Sequence, residues 1–482
     1  MNMREAAFTL LARPAPMRLA GLQVLVLGLG DTGLSVAQWV RRQGGQVRVA
    51  DTRAAPPRAN DLVGAALHAG PFDAALLEGI DLLCISPGLA LEQPLVDAAR
   101  SRGIPVLGDI ELFAWHLRGT APGASAEATR CIAITGTNGK TTVSALTGHL
   151  LRAAGLDCEV AGNIGPAALA ALAAREAAGR MPQAWVLELS SYQLETTWSL
   201  APDAAVLLNV SDDHLDRYPG IAAYAAAKAR IYAGAGMRVF NRADARSRAA
   251  AAGAGRALSF GLDVPPGAAD FGVRMRDGTA WLAEGETTFL RADALRIHGG
   301  HNLANALAAA ALARRCGAGL PAIAEGLRSF EGLPHRLQRV SLRAGVAWYD
   351  DSKGTNVGAT IAALEGLRRP GIGVAVPGHL ILIAGGDGKG QDFAPLAAAA
   401  ARHADHVLLV GRDAPRIEAA LGSFVTSEHC ASLETAVAIA ARRAVPGDAV
   451  LLSPACASFD MFRDYRHRGQ VFAQAVHALG AA

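Results

Sequence analysis

The segment CIAITGTNGKTT (131–142) constrains the fold of this chain more than any other part of its sequence. A run of apolar residues, typical of a strand buried on both faces of a parallel sheet, passes directly into a glycine loop and then a helix. The same order occurs near the N-terminus, where LQVLVLGLGDTG (22–33) leads into a helix from residue 32 to about residue 43. Strands that alternate with helices in this way predict an α/β fold built on parallel sheets.

The strand and helix patterns fall into three groups, so we expect three α/β domains in series along the 482 residues. Residues 1–108 are predicted to form a Rossmann-like domain, and residues 109–332 a central phosphate-loop ATPase-type domain with a parallel sheet. In the latter, segment 271–293 alternates apolar and polar residues, which indicates a small accessory antiparallel sheet. Residues 333–482 are predicted to form a second Rossmann-like domain. The stretch 119–130, rich in small and turn residues, is interpreted as a loop before the central domain.

Composition excludes two broad classes of protein. Lys and Arg total 46 against 43 Asp and Glu, and the net charge of +3 excludes a general nucleic-acid binder, which needs a clustered basic excess. No window approaches the roughly 18 uninterrupted apolar residues that a membrane-spanning helix requires. The N-terminal apolar patch is too short for a signal peptide, so we interpret it as a loose extension. Six cysteines without CxxC or metal-type spacing favour a reduced, cytoplasmic location.

The glycine turn GLGDTG (28–33) has the form of a dinucleotide-binding fingerprint. Asp51 ends the next strand, where an acid accepts a ribose hydroxyl. A plain glycine-rich turn is the open alternative, and Asp31 weighs against a tight phosphate contact because its carboxylate would lie near the diphosphate. Ser86 of SPG (86–88) ends another strand and is expected at the same crevice. The ligand indicated is a sugar or nucleoside diphosphate.

The loop ITGTNGKTT (134–142) is the stronger signal, because strand, glycine loop, Lys-Thr and helix form a phosphate-loop arrangement. Backbone amides and Lys140 are expected around the β- and γ-phosphates of ATP, with Thr141 on Mg²⁺. The loop departs from the general pattern, since Ile134 occupies the first glycine position. Glu188 ends a later apolar strand, where a carboxylate holds the metal in phosphate-loop proteins, or serves as an ordinary strand-end acid.

Further candidates follow strands in the second half of the chain. His214 in NVSDDHLDRY (209–218) lies among acids, so it is a candidate metal ligand, although a lone histidine more often has a structural role. Lys228 lies in an Ala-flanked helix and, from the residues alone, is interpreted as a surface lysine. Three loops after strands of the last segment suggest a site for an anionic small molecule, the alternative being three solvated loops. The candidates are Asp351, Lys353, Thr355 and Asn356 of the segment that begins DDSKGTN (350–356), Lys389 of GGDGKG (385–390), and Ser458, Phe459, Tyr465 and Arg468 of the segment that begins SPACASFD (453–460).

In their order and spacing these strings resemble the Mur ligase family over nearly the whole chain. ADTR (50–53), GDIELF (108–113), GNIG (162–165), ELSSYQLE (188–195), GGHNLAN (299–305) and GLPHR (332–336) belong to the same resemblance. The GLG-x-TG opening together with SPACASFD favours a glutamate-adding member. Ligases that add other amino acids and folylpolyglutamate synthases are the nearer alternatives. A nicotinamide-dependent dehydrogenase and a nucleotide-switch GTPase are the more distant ones, and no guanine-reading N-K-x-D string is present.

The resemblance implies a division of the site among the domains. The UDP-substrate set is Thr32, Asp51, Thr52, Arg53, Ser86, Asn163 and His214. The ATP set is Gly136, Thr137, Asn138, Gly139, Lys140, Thr141, Thr142, Asn302, Asn305, Arg336 and Asp351. The amino-acid set is Thr355, Lys389, Ser458, Phe459 and Tyr465. The metal set, for two Mg²⁺ ions, is Thr141, Glu188, His214 and Lys228, the last carbamylated by CO₂; Lys140, His214 and Lys228 are the implied catalytic residues.

The implied reaction is ATP-dependent addition of glutamate, with D-glutamate expected, to UDP-N-acetylmuramoyl-L-alanine in peptidoglycan precursor synthesis. The alanyl carboxylate would attack the γ-phosphate of ATP, and the acyl phosphate would be attacked by the amine of glutamate. Because an acyl phosphate hydrolyses easily, assembly of the site on domain closure is expected. We also expect a cytoplasmic monomer.

Overall fold

The computed structural model describes residues 14–119, 129–214, 217–253, 255–297, 299–368 and 378–480. Most of the loop predicted over 119–130, and the N-terminal part of the predicted loose extension, lie outside these ranges. The described chain forms three sheets in sequence order, as the alternation of strands and helices predicts.

The first sheet is entirely parallel, with strand order β3-β2-β1-β4-β5. Its strands are β1 (Gln23–Leu27), β2 (Gln46–Asp51), β3 (Ala66–Ala69), β4 (Leu82–Ile85) and β5 (Val106–Leu107). From β1 the chain first builds the sheet in one direction, through β2 and β3, and then in the other, through β4 and β5. A crevice therefore opens outside the carboxyl end of β1, which is where open α/β sheets bind ligands. This is the predicted Rossmann-like architecture.

The second sheet has nine strands in the order β14-β13-β12-β11-β10-β9-β6-β8-β7. The strands are β6 (Arg130–Thr135), β7 (Cys158–Gly162), β8 (Ala184–Glu188), β9 (Ala204–Leu207), β10 (Arg238–Asn241), β11 (Ala257–Phe260), β12 (Phe271–Arg276), β13 (Thr279–Glu284) and β14 (Thr287–Arg291). The predicted antiparallel segment is present as β12 to β14. It continues the edge of the large sheet, joined to β11 through the pair Phe260 and Phe271.

The third sheet has the order β15-β16-β20-β17-β18-β19 and is parallel except for β15, which runs antiparallel to β16 at one edge. Its strands are β15 (Gln338–Arg343), β16 (Val346–Asp350), β17 (Leu380–Gly385), β18 (His406–Val410), β19 (Ser427–His429) and β20 (Ala449–Leu452). The loops that follow β16, β17 and β20 therefore meet at one edge of this sheet.

Helices follow most strands and cover the sheet faces. They are α1 (Asp31–Arg42), α2 (Pro94–Ser101), α3 (Asp109–Gly119), α4 (Lys140–Ala153), α5 (Ala168–Ala177), α6 (Ser191–Glu195), α7 (Ile221–Ala229), α8 (Ala245–Ala251), α9 (Gly300–Arg315), α10 (Leu320–Ser329), α11 (Val357–Arg368), α12 (Ala394–His403), α13 (Ala414–Leu421), α14 (Leu433–Arg443) and α15 (Tyr465–Ala478). None of the described helices is long and apolar enough to cross a bilayer.

The first two sheets share one hydrophobic core, and α3 lies between them. The ring of Phe113 on α3 meets Trp185 of β8 edge-on at 5.0 Å, and Trp39 of α1 contacts His116 at 5.1 Å. Aromatic edge contacts of this kind add to the free energy of apolar burial. All six cysteines are buried and unbridged. The N-terminal domain is thus held on the central domain by a continuous apolar contact.

Candidate active site

The phosphate loop lies at the carboxyl end of β6 and leads into α4, whose first residue is Lys140. Gly139 caps the helix with φ +86°, and a Cβ there would lie 2.6 Å from Oδ1 of Asn305 on α9. Glycine is therefore required at this position both by backbone conformation and by space. The loop brings the start of α4 close to Asn305 of α9, a member of the predicted ATP set.

Two lysines converge on one backbone oxygen of this loop. Nζ of Lys140 donates to the carbonyls of Gly136 (2.7 Å) and Thr137 (2.9 Å). Nζ of Lys228 also donates to the Gly136 carbonyl, at 3.0 Å, and lies 4.5 Å from the centre of the Tyr224 ring. Lys228 is 1 % exposed, so the surface-lysine interpretation drawn from the residues alone is wrong.

Burial lowers the pKa of both amines. It holds the pKa of Lys140 below its usual range, and it holds the pKa of Lys228 well below, with the charge of Lys140 adding to the effect. The amine of Lys228 therefore differs from that of a solvated lysine in both burial and pKa.

Glu188 ends β8 and is 1 % exposed. Its Oε1 accepts from Nδ2 of Asn163 at 3.0 Å, while its buried Oε2 has no hydrogen-bond partner. An orphaned buried carboxylate oxygen carries a large desolvation cost, which a bound cation would remove. Among the described residues no three His, Cys, Asp or Glu side chains cluster, so a cation here would take its remaining ligands from Thr141, a modified Lys228 or phosphate oxygens. Within those limits the residues fit Mg²⁺.

His214 follows β9 and has φ +56°, in the left-handed region. Its ring lies 5.1 Å from that of Tyr192 and 6.1 Å from that of Tyr224, and its Nε2 is 3.7 Å from Oδ2 of Asp213. Burial lowers the pKa of this imidazole, and the positive charges of Lys228 and Lys389 lower it further, whereas the negative charge of Asp213 raises it. A neutral imidazole can bind a metal ion or accept a hydrogen bond from a substrate.

A cavity of about 310 Å³ lies beside the loop, between the central and C-terminal domains. The central domain contributes Phe260, Asn302 and Asn305, and the C-terminal domain contributes Ala359 and Ala362 of α11. Nδ2 of Asn305 donates to Oδ1 of Asn302 at 3.1 Å. An apolar ring face next to amide groups suits a purine base.

The C-terminal domain reaches the phosphate loop through Arg336. Its guanidinium donates to Oγ1 of Thr141 at 2.7 Å, and burial lowers its pKa. Asp351 accepts from Oγ of Ser453 at 2.7 Å and from the backbone N–H of Leu337 at 3.1 Å. Burial raises the pKa of Asp351 to about 7. The predicted ATP residues that line the cavity beside the phosphate loop come from both domains: Asn138, Gly139, Thr142, Asn302, Asn305, Arg336 and Asp351.

In the N-terminal domain both carboxylate oxygens of Asp51 accept hydrogen bonds from the protein itself. Its Oδ2 accepts from the N–H of Leu29 at 2.7 Å, and Arg53 donates to both oxygens, from Nε at 2.8 Å and from Nη2 at 2.6 Å. Asp51 is 2 % exposed, and these bonds hold its pKa well below the usual range. The neighbouring side chains Thr52 and Arg53 are exposed and remain open to a ligand.

The glycine turn itself is tightly built. Oγ of Ser86 donates to the carbonyl of Gly28 at 3.0 Å, and Thr32 follows in the first turn of α1. The Asp31 side chain is 75 % exposed and pairs with Arg58 at 2.6 Å. The Asp31 carboxylate, which the sequence places near the diphosphate, is therefore exposed to solvent, and the charge of Arg58 partly offsets its own.

The predicted amino-acid residues lie on the three loops that meet at the edge of the third sheet, except Tyr465, which begins α15. Lys389 has φ +48° and is exposed, Ser458 is buried and Phe459 is 73 % exposed. Nζ of Lys353 lies 3.9 Å from the centre of the Tyr465 ring, and burial lowers its pKa to about 8. Thr355 lies half-buried on the loop that also carries Lys353.

Three family models match this chain. The Mur ligase middle domain covers residues 134–313, the Mur ligase MurD-like N-terminal domain residues 22–108, and the Mur ligase glutamate ligase domain residues 335–456. UDP-N-acetylmuramoylalanine--D-glutamate ligase of Nitrosospira multiformis is 51% identical over 97% of both chains. The protein of that name from Thiobacillus denitrificans is 51% identical over 96% of this chain and 98% of its own.

The chain belongs to the Mur ligase family. Members of this family are ligases that use ATP and Mg²⁺, so the protein is an ATP-dependent ligase of peptidoglycan synthesis. Among solved structures, the MurF ligase of Thermotoga maritima in complex with ADP superposes with a TM-score of 0.60 at 17% identity, covering 96% of each chain. MurC of the same organism gives 0.59 at 18% identity, over 95% of this chain and 100% of its own. At these identities the two solved structures establish a shared fold and nothing beyond it.

Two candidates that the sequence offers for an anionic-ligand site, Lys353 and Arg468, make contacts that the sequence alone does not indicate. Lys353 lines the cavity, and its Nζ lies over the Tyr465 ring. Arg468 is 1 % exposed and donates to backbone oxygens of Ser352, Cys456 and Ala457, so it joins two of the site loops. The sequence does not show this role, because Ser352 lies 116 residues earlier in the chain.

Proposed function

We propose that the ligase adds D-glutamate to UDP-N-acetylmuramoyl-L-alanine, forming ADP and phosphate. The printed names of relatives 51% identical over nearly the whole chain support this substrate pair. The observation that carries the proposal is the largely buried space in which the cations of Lys140 and Arg336 contact the phosphate loop beside Lys228. Transfer of a phosphoryl group to a carboxylate gathers negative charge, and such a space stabilises it.

In this proposal the residues of the chain divide the work. The phosphate loop, residues 136–142, and Lys140 hold the β- and γ-phosphates, and Arg336 orders Thr141 from the opposite domain. Asn302, Asn305 and Asp351 line the nucleotide side of the cavity. Bound Mg²⁺, held through Glu188 and Thr141, would screen the charge of the phosphates.

The UDP substrate is proposed to bind at the glycine turn of the N-terminal domain and to extend toward Asn163 and His214. Thr32, Thr52, Arg53 and Ser86 are its proposed contacts there, with Asp51 holding Arg53 in position. Arg217 supports this path, because it donates to the carbonyl of Leu89, beside the SPG turn, at 2.8 Å and stacks on Tyr192 at 4.4 Å. The alanyl carboxylate would thereby arrive beside the phosphate loop.

Glutamate is proposed to enter from the loops of the third sheet. Lys389 and Thr355 would bind its carboxylates, with Ser458, Phe459 and Tyr465 around its side chain. The amine then attacks the acyl phosphate, the new amide bond forms, and inorganic phosphate leaves. Exclusion of water by the closed domains protects the acyl phosphate from hydrolysis.

Three finer points belong to the same proposal. Lys228 is proposed to react with CO₂, because a carbamate offers hard oxygen donors to a second Mg²⁺ where a bare ammonium would repel it. The lowered pKa of its amine supports that reaction. A monomer is proposed because all three domains of one chain supply the site. A cytoplasmic location is proposed because ATP and nucleotide sugars are found there.

Phosphate release with ATP, UDP-N-acetylmuramoyl-L-alanine and a panel of D- and L-amino acids tests the assignment. D-glutamate is expected to give the highest rate. Label from an ¹⁸O-alanyl carboxylate is expected in the released phosphate. Phosphate release that did not depend on any amino acid, or phosphate without label, would overturn the proposal.

A further inference from the structure

Asn138 is the third residue of GTNGKT (136–141), and its backbone N–H and carbonyl are both hydrogen-bonded within the central domain. Its N–H donates to Oδ1 of Asn209 at 2.9 Å, and its carbonyl accepts from Nδ2 of Asn209 at 3.0 Å. Asn209 follows β9 of the same sheet. The phosphate loop is thus fixed at this residue from within the central domain, and only the Asn138 side chain is left to act elsewhere.

That side chain crosses to the C-terminal domain and pairs with a second amide. Nδ2 of Asn356 donates to Oδ1 of Asn138 at 3.1 Å, and Nδ2 of Asn138 donates to Oδ1 of Asn356 at 3.4 Å. Asn356 is 5 % exposed, and its Nδ2 lies 3.5 Å from Oδ2 of Asp213. A reciprocal amide pair sets both distance and orientation, because each group donates and accepts.

Asn356 also fixes the first turn of α11. Its Oδ1 accepts from the N–H of Ala359 at 2.9 Å, in the manner of a helix N-cap. Gly358, Ala359 and Ala362 of α11 line the cavity beside the phosphate loop. A Cβ on Gly358 would lie 3.1 Å from Oγ of Ser211, so the helix and the central domain approach closely here. The amide pair therefore determines how α11 meets this cavity.

We propose that Asn138 and Asn356 form a positioning pair that aligns the C-terminal domain on the phosphate loop. Asn138 serves catalysis through Asn356, which places α11 and the following loops of the third sheet against the cavity. The naming of the bound nucleotide as ATP rests on the proposed function. The contact itself joins two domains of the ligand-free chain and can be tested without substrate.

Three variants separate alignment from helix capping. Asn138→Ala removes the amide on the central side and leaves the cap of α11 intact. Asn356→Ser keeps an N-capping oxygen but cannot reach across to Asn138. Asn356→Asp keeps a strong cap but replaces the donor with a carboxylate that faces Asp213, so it adds repulsion. Because this repulsion does not depend on Asn138, Asn356→Asp tests the contact with Asp213, whereas Asn138→Ala and Asn356→Ser test the pair.

Kinetics of phosphate release provide the first measurement. Asn138→Ala and Asn356→Ser are each expected to lower kcat about tenfold, the size of a lost pair of neutral hydrogen bonds. The double variant is expected to lose no more than Asn356→Ser alone, since that variant already removes the pair together with the contact to Asp213. Asn356→Asp is expected to lose more than Asn356→Ser because of the repulsion with Asp213. Additive losses in the double variant, or an Asn138→Ala variant as active as wild type, would overturn the proposal.

Hydrogen exchange of the ligand-free protein provides a measurement independent of activity. Amides of residues 357–362 are expected to exchange about tenfold faster in Asn138→Ala than in wild type, while those of α4 are unchanged. Arg42→Gln is the control, because it removes an exposed contact to Glu176 between the other two domains and is expected to leave α11 unaffected. Equal exchange of α11 in Asn138→Ala and wild type would refute the pair, whatever the substrates prove to be.

Discussion

Replacing Gly33 with alanine is expected to damage the N-terminal domain in a way that a neighbouring substitution does not. A Cβ at Gly33 would lie 1.8 Å from the carbonyl oxygen of Gly28 and 3.1 Å from Oγ of Ser86. The Gly28 oxygen belongs to the backbone, and Gly28 is itself held by a hydrogen bond from its N–H to the Ala50 carbonyl at 2.8 Å. No flexible side chain can give way.

The size of the effect follows from that distance. Observed Cβ atoms essentially never lie closer than 3.0 Å to such an atom, so the start of α1 must move by about 1.2 Å. Overpacking of this kind costs roughly 1–3 kcal/mol of unfolding free energy. A 1 Å displacement of a substrate-positioning element costs about a hundredfold in rate, so a 10–100-fold rise in KM for the UDP substrate is expected.

Gly30→Ala is the matched control. Gly30 lies in the same turn with φ −95°, and a Cβ there would meet nothing within 4 Å. Urea unfolding, followed by tryptophan fluorescence because Trp39 of α1 is 2 % exposed, and KM for the UDP substrate are the measurements. Gly33→Ala should be less stable than Gly30→Ala, and its KM for the UDP substrate should exceed that of wild type. Equal stability of the two variants, or a wild-type KM in Gly33→Ala, would refute this account of the turn.

Three further predictions concern the other domains. Lys140→Ala should abolish turnover and leave UDP-substrate affinity unchanged in a direct binding measurement; loss of that affinity would contradict the division of labour between domains. Lys228→Ala should lose at least about a hundredfold in kcat and be partly rescued by added acetate, whereas an unimpaired variant would contradict a role at the metal. His301, whose Nδ1 lies 3.0 Å from the Ala362 carbonyl, has its pKa lowered to about 4 by burial. Since the folded state resists its protonation, stability should be full above pH 6.5 and fall by up to about 3 kcal/mol as pH drops to 4. The pH dependence of Tm, compared with that of His301→Gln, checks this, and identical profiles would contradict it.

Local sequence patterns were sufficient to predict the strand, loop and helix that form the phosphate-loop part of the site. The apolar run of β6, the glycine loop and the helix α4 are predicted together from the sequence, and the structure has them in that order. These features are readable because a buried strand, a positive-φ glycine and a helix depend on neighbours within a few residues.

Other features depend on residues far apart in the chain. Lys228 meets the carbonyl of Gly136, 92 residues earlier, and Asn356 meets Asn138, 218 residues earlier. No periodicity within α7 distinguishes Lys228 from a solvated lysine. The occupied carboxylate of Asp51 and the outward turn of Asp31 likewise follow from partners that only folding brings near.

The order of hydrophobic runs, glycines and helix-forming segments determined three α/β domains and a phosphate loop at the second of them, because these are properties of short stretches of backbone. The tertiary structure decided which side chains share the site and how each is charged. Contacts between loops and helices of different domains bring distant groups within hydrogen-bond distance, and burial then shifts their pKa values.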